Sequence, residues 1–332
     1  MTDIDSNYQG IVAILPVDVV GAISVYIEGY VNDVPYLGET NEYDLTMGQV
    51  QNYMSAHFLN DRDGIKTTNI NCSMTITTNS SVMLSFKAPA TTTTNSPKTC
   101  GVSCNKDYVT FMPIPSQPIM CNSALKTPDQ RMITNDFTTR LHVSPPNVSF
   151  NCNQVPKMTV YNDINNAQGT EQIVADSGLT AIWLMNNKAA AFSTFSGQMA
   201  TNRFGSIIDT DGITAHGHFM HYVPSTQEWV TGKTQFFTLA NNCILEFYAD
   251  LQGSDANVIK IDSHPLSSLK FDKKPLSFFG NKYFHFQLNV KGYGLHSIEN
   301  KGKYVAYVIC KSVNGPNNAA GYLTSFNQWK NN

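Results

Sequence analysis

Gly217 to Asp250 reads GHFMHYVPSTQEWVTGKTQFFTLANNCILEFYAD, and Gly292 to Tyr322 reads GYGLHSIENKGKYVAYVICKSVNGPNNAAGY. Both stretches consist of short runs in which apolar and polar residues alternate, the period of a strand with one buried face. Between the runs stand a Pro224-Ser225-Thr226-x-x-Trp229 corner and a Gly292-Tyr293-Gly294 turn, and Cys243 and Cys310 lie far apart in strand-like runs. The pattern predicts a β-sandwich of the kind found outside cells. It describes architecture and compartment more sharply than chemistry.

The rest of the 332 residues extends that reading. Runs at Ile11 to Leu15, Ala22 to Tyr30, Ser73 to Thr78, Val82 to Phe86 and Tyr108 to Met112 are strand-like and separated by Gly, Pro, Asn and Asp. Later runs include Lys157 to Tyr161, Leu179 to Leu184, Phe219 to Val223, Tyr283 to Val290, Leu295 to Ile298 and Tyr304 to Cys310, with Glu299 to Lys303 read as a hairpin turn around Gly302. Pro145-Pro146 makes a stiff stop, so the expected organisation is two all-β sandwich domains, residues 1–144 and 145–332. One or two short helices are expected at Met47 to Asn60 and Ala189 to Met199, where apolar residues recur at helical spacing. A motif of apolar, polar, apolar, Tyr, any, acid recurs at Ile23 to Glu28, Met158 to Asp163 and Leu245 to Asp250, as equivalent strands of related units would.

Composition narrows the function classes. Charged residues are 14% and the net charge is -3, with no run of Lys or Arg, so there is no basic face for nucleic-acid phosphates. Residues Gly10 to Ile27 are interrupted by Pro16 and Asp18 and resemble neither a signal peptide nor a membrane span. A secreted chain would then take its leader from sequence outside the one given. The seven cysteines show no repeated Cys-x-x-Cys, so disulfides are expected before zinc. Cys243 and Cys310 are the expected pair, being the two that share the second domain's strand-like runs; the other five cannot all pair among themselves. Asn71, Asn79 and Asn147 begin N-glycosylation sequons.

Catalytic signals are thin. His216-Gly217-His218 would place two imidazoles on one face of a strand, a weak metal pair, but no carboxylate follows at metal-site spacing. Neither a nucleophile elbow nor a phosphate-binding glycine loop appears. The expectation is no enzyme and no cofactor, with a metal-dependent enzyme using His216 and His218 as an alternative. Trp229, Tyr293 and His296 are the candidate binding residues, each weighed against a role in the core.

The order Pro224-Ser-Thr-x-Glu-Trp229, Cys243-x-Leu-x-x-Tyr248-Ala-Asp250, Gly292-Tyr-Gly294-x-His296, Tyr304-Val-x-Tyr-Val308 and Gly321-Tyr322 resembles the IgGFc-binding-protein N-terminal type of domain of invertebrate secreted proteins, some of which carry CUB-like modules. The resemblance spans roughly Gly205 to Phe326. It implies CUB-like or jelly-roll-like sandwiches in a secreted or cell-surface, mucus- or matrix-associated protein, sometimes linked to epithelial defence, that docks a protein or glycan ligand through its loops. A viral or phage structural protein of the virion, a capsid or receptor-binding component, is the alternative that the neutral, Asn- and Thr-rich surface also suits.

Overall fold

The computed structural model describes residues 3–4, 11–17, 22–31, 34–44, 54–57, 72–92, 107–148, 152–162, 168–175, 178–184, 187–208 and 215–329. Across them the protein is all-β, and its one described helical element is a single 3-10 turn, Leu266–Ser268.

The first eight strands are β1 (Asp3–Ile4), β2 (Ile11–Pro16), β3 (Ala22–Val31), β4 (Val34–Asp44), β5 (Met54–His57), β6 (Cys72–Thr78), β7 (Val82–Thr92) and β8 (Asp107–Phe111). They form two sheets, β1-β7-β2-β5 with β8 also on β7, and β4-β3-β6. Alternation decides which side chains meet: Ile23, Val25 and Ile27 of one sheet share a core with Val12, Ile14, Phe86 and Ala88 of the other. The helix expected over Met47 to Asn60 is corrected within its described part, because Met54–His57 is a strand laddered antiparallel onto β2. Asn71 lies outside the described residues.

Eight further strands follow: β9 (Asp129–Thr134), β10 (Thr138–Val143), β11 (Lys157–Tyr161), β12 (Thr170–Ile173), β13 (Thr180–Trp183), β14 (Ala189–Thr194), β15 (Thr201–Ile208) and β16 (Ala215–Tyr222). Their sheets are β12-β11-β14-β9 and β13-β10-β15-β16. Strands β9 and β10 precede Pro145-Pro146, yet they ladder with β14, β13 and β15, which follow it. A disulfide joins Cys121 to Cys152 across that stop. The helix expected at Ala189 to Met199 is also corrected: its first six residues are β14, held between β11 and β9. Ala189 to Phe192 are buried on both faces, and a strand buried on both faces reads as a continuous apolar run that periodicity cannot separate from a helix.

The last sheet contains β17 (Val230–Thr238), β18 (Cys243–Asp250), β19 (Lys260–Ile261), β20 (His264–Pro265), β21 (Asp272–Phe278), β22 (Asn281–Val290), β23 (Gly294–Lys311) and β24 (Ala319–Leu323). Strand β23 organises it. Its first half pairs with β17 and β19, and its second half with β18 and β24. The hairpin expected at Glu299 to Lys303 is therefore corrected to a strand that runs on through these residues, with a register shift against β17 opposite 301–303. Gly302 is required there by close approach: a Cβ would stand 2.1 Å from Gly253 N and 2.5 Å from Asp250 Oδ1.

Both faces of the second half of β23 are covered. Tyr304, Ala306, Val308 and Cys310 join Leu245, Phe247, Phe286 and Phe236 in one core, while Val305 and Tyr307 join the core of β9 to β14. Cys243 and Cys310 sit on neighbouring strands and are linked, S–S 2.04 Å.

Two buried ionic networks tie the strands across sheets. Arg203 of β15 meets Glu246 of β18 through Nη1 at 2.5 Å. The same carboxylate accepts from Tyr248 Oη at 2.9 Å and lies 3.0 Å from His285 Nε2. In the second network Arg131 Nε donates to Asp129 at 2.9 Å, and Ser225 N and Tyr222 Oη donate to Glu228 at 2.7 and 2.9 Å. This second set fixes the Pro224 to Trp229 corner against β9.

Candidate functional site

The two turns at one end of the last sheet, 239–242 after β17 and 291–293 before β23, bring several exposed apolar side chains to one place. Phe237 and Leu295 are directly opposed in the β17–β23 ladder. Tyr293 packs edge-on against Phe237 with ring centroids 5.2 Å apart. Yet Tyr293 is 69% exposed, Leu295 66%, and Phe237 and Leu239 40% each. Alternation produces this arrangement: Phe236 and Thr238 point inward, so Phe237 and Leu239 are left outward.

The backbone beneath Tyr293 is fixed from inside. Thr238 Oγ1 donates to Gly292 O at 2.8 Å and accepts from Gly294 N at 3.0 Å, gripping the residues on both sides of Tyr293. Gly292 and Gly294 take φ of +100° and +126°, conformations that side chains beyond glycine rarely adopt, which is why the turn reads Gly-Tyr-Gly. His296 backs the hydroxyl: its Nε2 is 3.1 Å from Thr238 Oγ1 and its Nδ1 2.7 Å from Asp262 Oδ2. Ser297 N donates to Asp262 Oδ1 at 2.8 Å, and the His296 ring stacks on Phe236 at 5.6 Å.

Asp262, His296 and Thr238 stand in the order of a nucleophile relay, and the chemistry stops there. Thr238 is fully buried, and its oxygen is ringed by Gly292 O, Gly294 N, Gly294 O and His296 Nε2, leaving no approach for an electrophile. The relay holds a turn. At the free edge of β17, Tyr322 Oη bonds Phe237 N and O at 2.8 and 2.5 Å, so the strand beneath the tip is braced on that side too.

The sequence-nominated residues separate. Tyr293 is displayed and His296 supports it from below. Trp229 is elsewhere: 3% exposed, edge-on to Tyr283 at 5.6 Å inside the core, it closes that core and offers no docking surface. His218 is fully buried and stacked on Phe204 at 5.6 Å. The side chain of His216 lies outside the described residues. Between them Gly217 takes φ +62° and the β15–β16 register shifts, so the regular alternation assumed for a His-x-His pair is broken. Among the described residues no group of three His, Cys, Asp or Glu side chains could hold a metal ion. Asn79 is exposed in the β6–β7 turn, its Oδ1 accepting from Ser24 N at 3.0 Å, and Asn147 is exposed with Nδ2 3.5 Å from Ser116 O.

Sequence reasoning missed Phe237, Leu239 and Leu295. The signal was present in Phe236-Phe237-Thr238-Leu239, where period two must put one Phe outside if the other is inside. Among the described residues no helix is long and apolar enough to cross a membrane. No known family model matches the chain, and no curated protein matches it.

Proposed function

We propose that this is a secreted or cell-surface recognition protein without catalytic activity, built of β-sandwich units and docking through the Tyr293 tip. The observation that carries the reading is the contrast at that tip. Four large apolar side chains are open to solvent, while the backbone that presents them is held by a buried hydroxyl, a His–Asp pair and two positive-φ glycines. Exposed apolar surface costs solubility, and rigid presentation lowers the entropy lost on docking; together they favour binding. Two disulfides support an oxidising compartment. The resemblance of Gly205 to Phe326 to the IgGFc-binding type of domain supports the same class of function.

The test is retention of labelled protein on the surfaces of cells from the organism that makes it. Wild type is retained, and Tyr293→Asp combined with Leu295→Asp releases it without changing its circular dichroism. Equal retention of both proteins overturns the reading, as does assembly of the purified chain into closed particles with free thiols, the behaviour of a virion component.

A further inference from the structure

Asn79 and Asn147, which begin two of the sequons, lie among the described residues, and their side-chain nitrogens stand differently. Asn79 follows β6 in the turn to β7 and clamps Ser24 of β3 at two points. Its backbone N–H donates to Ser24 O at 3.2 Å, and its Oδ1 accepts from Ser24 N at 3.0 Å. The second bond fixes which way the amide faces, because Ser24 N–H needs an acceptor and only the oxygen is one. The planar amide therefore turns Nδ2 away from Ser24, at an exposed position. Ser81, which supplies the sequon's hydroxyl, is exposed as well. The turn between them is shaped by other bonds: Thr78 Oγ1 donates to Ser80 O at 2.7 Å and Val17 N to Ser81 O at 3.0 Å.

Asn147 is the opposite case. Its Nδ2 is turned to the chain's own backbone, 3.5 Å from Ser116 O. Its O accepts from Ile119 N at 2.9 Å, and Val148 bridges Ile119 in parallel, beside a segment closed by the Cys121–Cys152 disulfide. A sugar on that nitrogen would take the place of the Ser116 contact.

We propose that Asn79 carries an N-linked oligosaccharide and that Asn147 does not. The proposal rests on the reading of the chain as secreted, since the sugar donor is met on the secretory route, and it names a modification site on that protein. Transfer forms a bond from Asn79 Nδ2 to the first carbon of the leading sugar and breaks that carbon's bond to the pyrophosphate of a lipid-linked oligosaccharide. One amide proton and the lipid pyrophosphate leave. Nothing in the described fold has to give: the carbonyl is untouched, so Oδ1 stays on Ser24 N, and no described hydrogen bond uses Nδ2. The attached chain is bulky and polar, and it keeps the β6–β7 turn in solvent.

The test is mass spectrometry of the full chain isolated from the organism that makes it, and of the full chain secreted from cultured insect cells behind an added leader. Release of N-glycans by an amidase in heavy-oxygen water converts Asn79 to labelled aspartate, separated from Asn71 by tandem spectra, and leaves Asn147 unlabelled. In insect cells Asn79→Gln and Ser81→Ala each lose the mass of one oligosaccharide. Ser81→Ala keeps the clamp on Ser24, so its loss of sugar does not depend on a change in folding. Labelled Asn147 beside unlabelled Asn79 overturns the proposal, as does equal glycan mass on wild type and Ser81→Ala. Unmodified Asn79 in a native chain whose Cys243 and Cys310 are linked also overturns it and leaves the secreted reading standing. Free thiols at those two positions in the native chain overturn the secreted reading, and the proposal with it.

Discussion

Acid should destabilise this protein through His221, and the size of the effect can be worked out. The ring lies between Phe219 and Tyr307, with centroids 5.8 and 4.6 Å away. Its Nδ1 donates to Tyr222 O at 3.0 Å. Burial, reinforced by the Arg203 guanidinium, lowers the imidazole to about 3, with the Tyr222 carbonyl and Glu246 pulling weakly the other way. The unfolded chain returns the ring to about 6.5. Below that value the unfolded state binds a proton that the folded state refuses, so stability is lost as pH falls toward the folded value. From about pH 6 to about pH 4 the loss from this one group is roughly 2.5 kcal/mol. Urea denaturation of wild type and His221→Phe across that interval measures it. The phenyl ring keeps the stack and takes up no proton, so the variant should lose about 2.5 kcal/mol less than wild type, with every other titrating group common to both. Parallel stability curves for the two proteins would show that His221 takes up its proton equally in the folded and unfolded chain.

Three further outcomes follow from the same packing. Glu246→Ala leaves Arg203 buried without its carboxylate and should cost about 3–5 kcal/mol, whereas Arg203→Met with Glu246→Leu should recover most of it; chemical denaturation of the two variants beside wild type checks both. Cys243→Ser opens a link between residues 67 apart and should cost about 4 kcal/mol by loop entropy, read as a lower denaturation midpoint. Gly302→Ala would place a methyl group 2.1 Å from Gly253 N and should destabilise by about 1–3 kcal/mol although its φ is ordinary, read as a lower thermal midpoint.

The strands were legible wherever one face is buried and the other wet. Ile23 to Ile27 in β3 and Tyr108 to Phe111 in β8 both show period two, and burial alternates along both. Legibility failed where the environment is not one-sided. Ala189 to Phe192 are covered on both faces and read as helix. Glu299 to Lys303 looked like a turn because Lys and Gly interrupt the apolar pattern, but Gly302 is there for contact with Gly253. At the tip, the Gly-Tyr-Gly turn announced itself, since few residue orders tolerate two positive φ angles so close together. Its supports did not: Asp262 and Thr238 are 34 and 58 residues from His296 in sequence, and only the fold brings them together. Trp229 illustrates the opposite error, because a large aromatic beside a proline corner has the same letters whether it plugs a core or faces a partner.

On the function proposed above, the protein docks by the Tyr293 end of its last sheet. Amide hydrogen exchange of the full chain, free and bound to the surface that retains it, tests this most directly. The account predicts new protection confined to residues 237–239 and 291–295, with β10, β13 and the β6–β7 turn unchanged. Protection appearing on those latter segments, with the tip exchanging as in the free protein, would contradict it.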